Sequence, residues 1–275
     1  MKRMVIRSIL LGVLLTLPTL PALAQKPLTA EDAKARLAKA EAMFQERCKK
    51  SGEFIHRTTE NVDGILLLKI RGQTSRGDQY KMDDPYGHDS ADDEYLKSFL
   101  YGRNEKGSPI VDGPVASKGY RYVDAIDLQD NKRYRYTGSI KEVTHTSSIL
   151  MGGDGKTQFK SKEFVLDRIL APNPPPRYAV TYDDISTREE RDYWIAGSSL
   201  KVIDLKTNEV MAERIGYMMD RGQGNNSGGR SPWLLAANYA CPSFRPSGAR
   251  VPGATYQGWQ TRRFVTKILK PSLER

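Results

Sequence analysis

Histidine is scarce in this chain: His56, His88 and His145 are the three among 275 residues, and they lie far apart. No His-Glu-x-x-His pair occurs, which excludes the helical zinc site of that type of metalloprotease. No Gly-x-Ser-x-Gly turn occurs either, which removes the nucleophile elbow of the α/β-hydrolases. Two partial motifs fail on their chemistry. Gly152–Thr157 reads GGDGKT, but Leu150 stands where a phosphate loop needs its first glycine, so a hairpin turn is expected there. Ser198 and Lys201 have Ser-x-x-Lys spacing, but in a predicted strand residues three apart point to opposite faces, and no Lys-Thr-Gly partner follows.

Cysteine is scarcer still, with Cys48 and Cys241 alone. Apolar runs are short after the first residues, and none is long enough to span about 30 Å of hydrocarbon as a helix. No internal repeat is visible. The chain therefore reads as not membrane-spanning, without a cofactor motif and without an assembled catalytic constellation.

The first residues supply the compartment. Lys2, Arg3 and Arg7 precede a short apolar run from Ile9 to Leu17, and Ala22-Leu23-Ala24 fits a small-x-small cleavage site. Pro18 and Pro21 interrupt the run, and no cysteine follows Ala24 to carry a lipid. Residues 1–24 are therefore read as a cleaved signal peptide, and residues 25–275 as a single exported domain, periplasmic first and released second. In an oxidising compartment Cys48 and Cys241 are expected to form a disulfide. Loss of the three basic residues lowers the formal charge from +10 to +7. Outside the cytoplasm that surplus suits an acidic protein partner, an anionic glycan or a lipid surface rather than nucleic acid.

The remaining pattern predicts an α+β fold: an antiparallel, meander-like β-sheet with an N-terminal helix and short C-terminal helices. Thr29 caps a helix with Glu31 and Asp32 in its first turn, and Leu37, Ala40, Phe44 and Cys48 share one face before Ser51-Gly52 ends it. Ile65–Ile70 reads as a buried strand, Ala91–Leu100 as a short helix, and Phe164–Leu170 as a further strand. Tyr193–Met219 reads as a long central hairpin around the polar turn Lys206–Glu209, and it needs a sheet to join. Ser231-Pro232 starts a short helix, and the C-terminal segment around Phe264 and Ile268 is read as helical.

A second hairpin turns at Asp130-Asn131. Its strands carry the candidate binding residues Tyr120, Arg121, Tyr122, Arg133, Tyr134, Arg135 and Tyr136, because tyrosine and arginine together favour interfaces. The same alternation also describes a sheet with one packed and one wet face. Six carboxylates, Asp83, Asp84, Asp89, Asp92, Asp93 and Glu94, surround His88, but the alternating aspartates and central glycine of a calcium loop are missing. No metal ligand set is assigned, and an acidic turn capping the next helix is the plainer reading.

The signal peptide, CKKSGEFIHRTTENVDGILLLKIR from Cys48, MDDPYG from Met82 and GGRSPWLLAANYACP from Gly228 together resemble a family of exported proteobacterial proteins. That family has no assigned catalytic residues, so none is carried over. Some small exported proteins of this kind resemble immunity partners of type VI secretion effectors, and the likeness implies a toxin as partner. Three functional expectations follow. The first is a periplasmic binding protein without catalysis, of immunity type. The second is an envelope-acting hydrolase built on scattered carboxylates such as Asp84 with His88. The third is a binder of anionic glycan or lipid.

Overall fold

The computed structural model describes residues 29–72, 84–87, 92–100, 119–244 and 257–272, with backbone alone for 92 and 257–259. The signal-peptide residues, Asp83, His88 and Asp89 lie outside the described residues. The chain runs α1 (Ala30–Cys48), β1 (Gly52–Ile55), β2 (Thr59–Val62), β3 (Gly64–Leu67), α2 (Asp92–Leu100), β4 (Tyr122–Ile126), β5 (Arg133–Thr146) and β6 (Gln158–Leu170). It continues with β7 (Tyr178–Asp184), α3 (Arg188–Asp192), β8 (Ile195–Asp204), β9 (Glu209–Met219), α4 (Pro232–Ala236), β10 (Ala240–Cys241), α5 (Gln257–Ile268) and β11 (Leu269–Pro271). The fold is mixed α+β, built on a nine-stranded sheet in the order β1-β9-β8-β7-β3-β4-β5-β6, with β10 also on β9.

The central hairpin is β8 and β9, paired from Ile195↔Met219 to Asp204↔Glu209 with one register shift at Val202/Ile203. Asn208 takes a positive φ of 56° in its turn. Strand alternation sorts the C-terminal half of β9. Met218 packs with Tyr86, Trp194 and Trp233, while Ile215, Tyr217 and Met219 meet Phe44 and Ala40 of α1. Gly216 lies under Tyr86, where an added Cβ would sit 2.0 Å from the tyrosine Oη.

The sheet departs from a meander at β1, which pairs with the distant β9, and at β3. β3 is parallel to both neighbours, β4 and β7. All four of its residues are buried, and an apolar run without alternation is what a central parallel strand requires. Parallel neighbours also need a crossover connection, and α2 lies in the one between β3 and β4. β3 stops at Leu67, because Leu68 and Lys69 are already exposed. The strand read as Phe164–Leu170 is twice as long, since β6 pairs with β5 over thirteen residues, from Thr146↔Gln158 to Tyr134↔Leu170.

α2 and α5 bury Tyr95, Phe99, Phe264 and Ile268 with Val123, Val202 and Ala212 of the sheet. After α5 the chain adds β11, which pairs in parallel with β2 as a separate two-stranded sheet. α1 begins with the expected cap: Thr29 Oγ1 accepts the Asp32 N–H at 3.1 Å, and Asp32 returns a bond to the Thr29 N–H. Cys48 at its end is bonded to Cys241 in β10.

Several arginines serve the interior. The buried carboxylates Asp124, Glu190, Asp204 and Asp220 each pair with arginine: Arg135 and Arg133, Arg47, Arg57 and Arg177, and Arg230. Buried charge is tolerated when it is paired in this way. The Arg177 guanidinium on Asp204, helped by Arg57, holds that carboxyl well below the usual range.

Candidate functional site

Where the end of β3, α2, the β4–β5 turn and the β5–β6 ladder meet, they enclose a cleft of about 590 Å³. That is the size of a small-molecule site. Ile70, Leu96, Leu128 and Leu166 form its apolar wall, and Arg71, Asp93, Asp127, Gln129, Tyr136 and Arg168 supply its polar groups. Each element has a local reason to be there. Asp127 opens the turn by accepting the Gln129 N–H on Oδ1 at 2.8 Å, and Asn131 closes it with a φ of 55°. Tyr136 and Arg168 are direct cross-strand partners.

Arg168 is the cation at the mouth, with its side chain 53% exposed. Its Nη1 donates to Asp127 Oδ2 at 2.6 Å, and the guanidinium lies 4.6 Å from the Tyr134 ring centroid. The Tyr136 hydroxyl and Asp127 raise its pKa, so it stays charged. Burial pushes the Tyr136 phenol up, with Arg168 opposing, so the hydroxyl keeps its proton at neutral pH. Both Asp127 oxygens are engaged, which makes it an orienting group for Arg168.

Arg71 is the cation at the back. Its Nε donates to Asp84 Oδ2 at 2.8 Å, and its guanidinium lies 3.7 Å from the Tyr182 ring centroid and 5.6 Å from that of Tyr95. Burial alone would lower its pKa, but Asp84 and the two phenols hold it above the usual value. Only glycine fits at position 87, where a Cβ would fall 1.5 Å from Arg71 Nε. Asp84-Pro85-Tyr86-Gly87 is thus a buried clamp on Arg71. The cleft offers an anionic group the Arg168 guanidinium at its mouth with apolar atoms beside it, and Arg71 lies behind, already bonded to Asp84. Among the described lining residues there is no histidine, cysteine or serine to act as a nucleophile or proton shuttle. Nor do three His, Cys, Asp or Glu side chains converge elsewhere among the described residues to hold a metal.

The predicted tyrosines and arginines divide between two faces and the core. Tyr136 lines the cleft, and Tyr134 lies beside it, donating to Asp130 Oδ2 at 2.8 Å. Arg135 binds Asp124 at 2.7 and 3.1 Å and covers the Tyr122 ring at 3.7 Å. Arg133 lies 3.5 Å from Asp124 and donates to the Pro172 carbonyl at 2.6 Å. Arg121 meets Asp63 at 3.4 Å. Tyr120 is in the core, its hydroxyl donating to the Leu269 carbonyl at 2.6 Å. Of the acidic stretch, Asp84 holds Arg71 and Asp93 lines the cleft. Ser198 and Lys201 lie in β8, so no helix presents them together. Sequence reasoning did not find Arg71, Asp127 or Arg168. Arg168 becomes visible only when the β5–β6 register places it opposite Tyr136.

A second buried arginine stands beside the clamp. Arg214 is 3% exposed, its Nη1 donates to Tyr86 Oη at 3.2 Å, and its Nε and Nη2 have no partner among the described residues. Burying a guanidinium with donors unmade is costly. Arg214→Met, which gives up the guanidinium over the Phe244 ring but leaves an apolar side chain there, is expected to stabilise the fold by about 2 kcal/mol and to raise Tm by about 4 °C. Calorimetry checks this; a clear fall in Tm would mean that Arg214 has a partner in solution.

Comparison with protein-family models, curated proteins and solved structures finds no match to the chain.

Proposed function

We propose that the chain is an exported binding protein that acts without catalysis and takes an anionic group into the cleft between Arg71 and Arg168. The observation that carries this reading is Arg168. It is half exposed at the mouth, yet its guanidinium is already set by Asp127 and Tyr136. A preset guanidinium spends little ordering entropy when it meets a carboxylate or phosphate. The partner is a protein, a toxin or an envelope protein, which presents an acidic side chain or a chain terminus. The immunity-type role expected from the sequence is one form of this. The Cys48–Cys241 bridge supports work in an oxidising compartment, the periplasm in this reading. No helix among the described residues is long and apolar enough to cross a membrane.

Crosslinking in the periplasm, followed by mass spectrometry, tests the proposal. The tagged chain should return one dominant partner, and Arg168→Ala should weaken that capture at least about tenfold, the value of a charge-assisted hydrogen bond. Tm should hold, because Arg168 is half exposed. Equal capture by both forms would overturn the role of the cleft. A hydrolase reading draws on Asp93 and Asp127, which share the cleft. The engagement of both Asp127 oxygens speaks for positioning instead.

A further inference from the structure

The β5–β6 hairpin ends in the most exposed apolar group among the described residues. Ile149, Leu150 and Met151 form one 3-10 turn and are 73%, 96% and 88% exposed. Phe159, 52% exposed, stacks on His145 one step below. Such a tip could meet a protein or a lipid surface, and its size and its flanking lysine distinguish the two.

Hydrogen bonds fix the base of the loop. Asp154 accepts from the Lys156 and Thr157 N–H groups at 2.8 and 2.7 Å, from the Thr157 hydroxyl at 2.5 Å and from the Ser147 hydroxyl. These bonds hold its carboxyl well below the usual range. The Ser148 carbonyl accepts from Met151 and Gly153, and the Ile149 carbonyl from Gly152, which closes the turn with a φ of 82°. The base is held rigid by these bonds, and the three side chains project from it as a preset apolar wedge. Shallow insertion at the head-group boundary leaves the backbone groups of the tip within reach of water.

Area and charge agree. Three side chains fall short of the roughly 800 Å² per partner that a stable protein interface buries. A lipid surface needs no shape complementarity. Behind the tip stands the exposed Lys156, while Lys160 is paired with Glu142 at 2.7 Å. The Lys156 stem can lie along the interface with its ammonium among the head groups, and Phe159 is placed where aromatic residues sit at membrane boundaries.

We propose that the Ile149–Met151 tip inserts into the lipid surface of the envelope as a reversible peripheral anchor. This site is separate from the cleft. Three apolar side chains give binding of the marginal kind that a single acyl chain gives, so the chain should exchange on and off the bilayer.

Vesicle flotation with the exported full chain and phosphatidylethanolamine/phosphatidylglycerol liposomes tests this. The wild-type chain should float, and the Leu150→Asp/Met151→Asp form should bind at least about tenfold less, since each carboxylate meets hydrocarbon. Both positions are solvent-exposed, so circular dichroism should be unchanged. In a second variant, Leu150→Trp, indole emission should shift to the blue on adding vesicles. Three results would each overturn the proposal: no flotation of the wild type, equal flotation of the aspartate form, or tip-dependent capture of a protein with no vesicle binding. Arg168→Ala should float as the wild type does, which separates this test from that of the cleft.

Discussion

Replacement of Cys48 and Cys241 together by alanine should lower the unfolding free energy by about 4 kcal/mol, within a chain-entropy ceiling of about 5 kcal/mol for so long a loop. The bridge closes 193 residues, which include β1 to β9 and therefore most of the sheet. What it joins has little apolar burial of its own, and the other ties of α1 are polar, chiefly Arg47 to Glu190 and Glu41 to Arg221. α1 buries only Ala40 and Phe44, against Ile195, Tyr217 and Met219. β10 is two residues long and meets β9 at Ala240↔Met218 and Cys241↔Tyr217. Without the bridge both should detach before the sheet unfolds. Urea titration of the two forms measures the loss, and hydrogen exchange locates it. The α1 amides should exchange by local opening in the variant and only with larger unfolding in the wild type. A loss below about 1 kcal/mol would mean that α1 and β10 dock unaided and that the loop-closure gain is not realised.

The same elements show what a sequence can reveal and where it stops. α1 is legible because its cap, its acidic first turn and its apolar face are local signals, all within a few residues of one another. The β8–β9 hairpin is legible for the same reason, through its polar turn and flanking β-formers. The orientation of β3 is not local. Gly64–Leu67 reads as buried, but only the strands that flank it decide that it runs parallel to β4 and β7. The distal half of β6, QFKSKE, carries charge and little apolar signal, and it is a strand because β5 supplies its ladder. The cleft fails in sequence for a related reason. Arg71, Asp127 and Arg168 come from three separate segments, and only the register brings them together. Tyr136 was visible as part of a Tyr/Arg pattern, yet that pattern does not tell it from Tyr120, which is buried in the core.

The Tyr/Arg strands also hold the second large expected effect, at a carboxylate. Asp124→Ala should cost about 4 kcal/mol, as removal of one member of a buried ion pair does. Asp124 is fully buried, and its partners Arg133 and Arg135 are only 18% and 19% exposed, so neither can turn fully into water when it is lost. Arg135 is further held over the Tyr122 ring, and Tyr122 in turn packs on Gly64, where a Cβ would fall 2.2 Å from the ring. Asp204→Ala makes the control. Its partners Arg57 and Arg177 are 34% and 47% exposed, and Arg57 keeps Glu209 at 2.8 Å, so the loss there should be about half as large because solvent takes up the freed charge. The diagnostic experiment is the combination Asp124→Ala/Arg135→Met. If the cost is the stranded guanidinium, the added methionine should restore about 2 kcal/mol of what Asp124→Ala removes. If the double variant is as unstable as the single one, Asp124 acts through the β4–β5 register and not through charge.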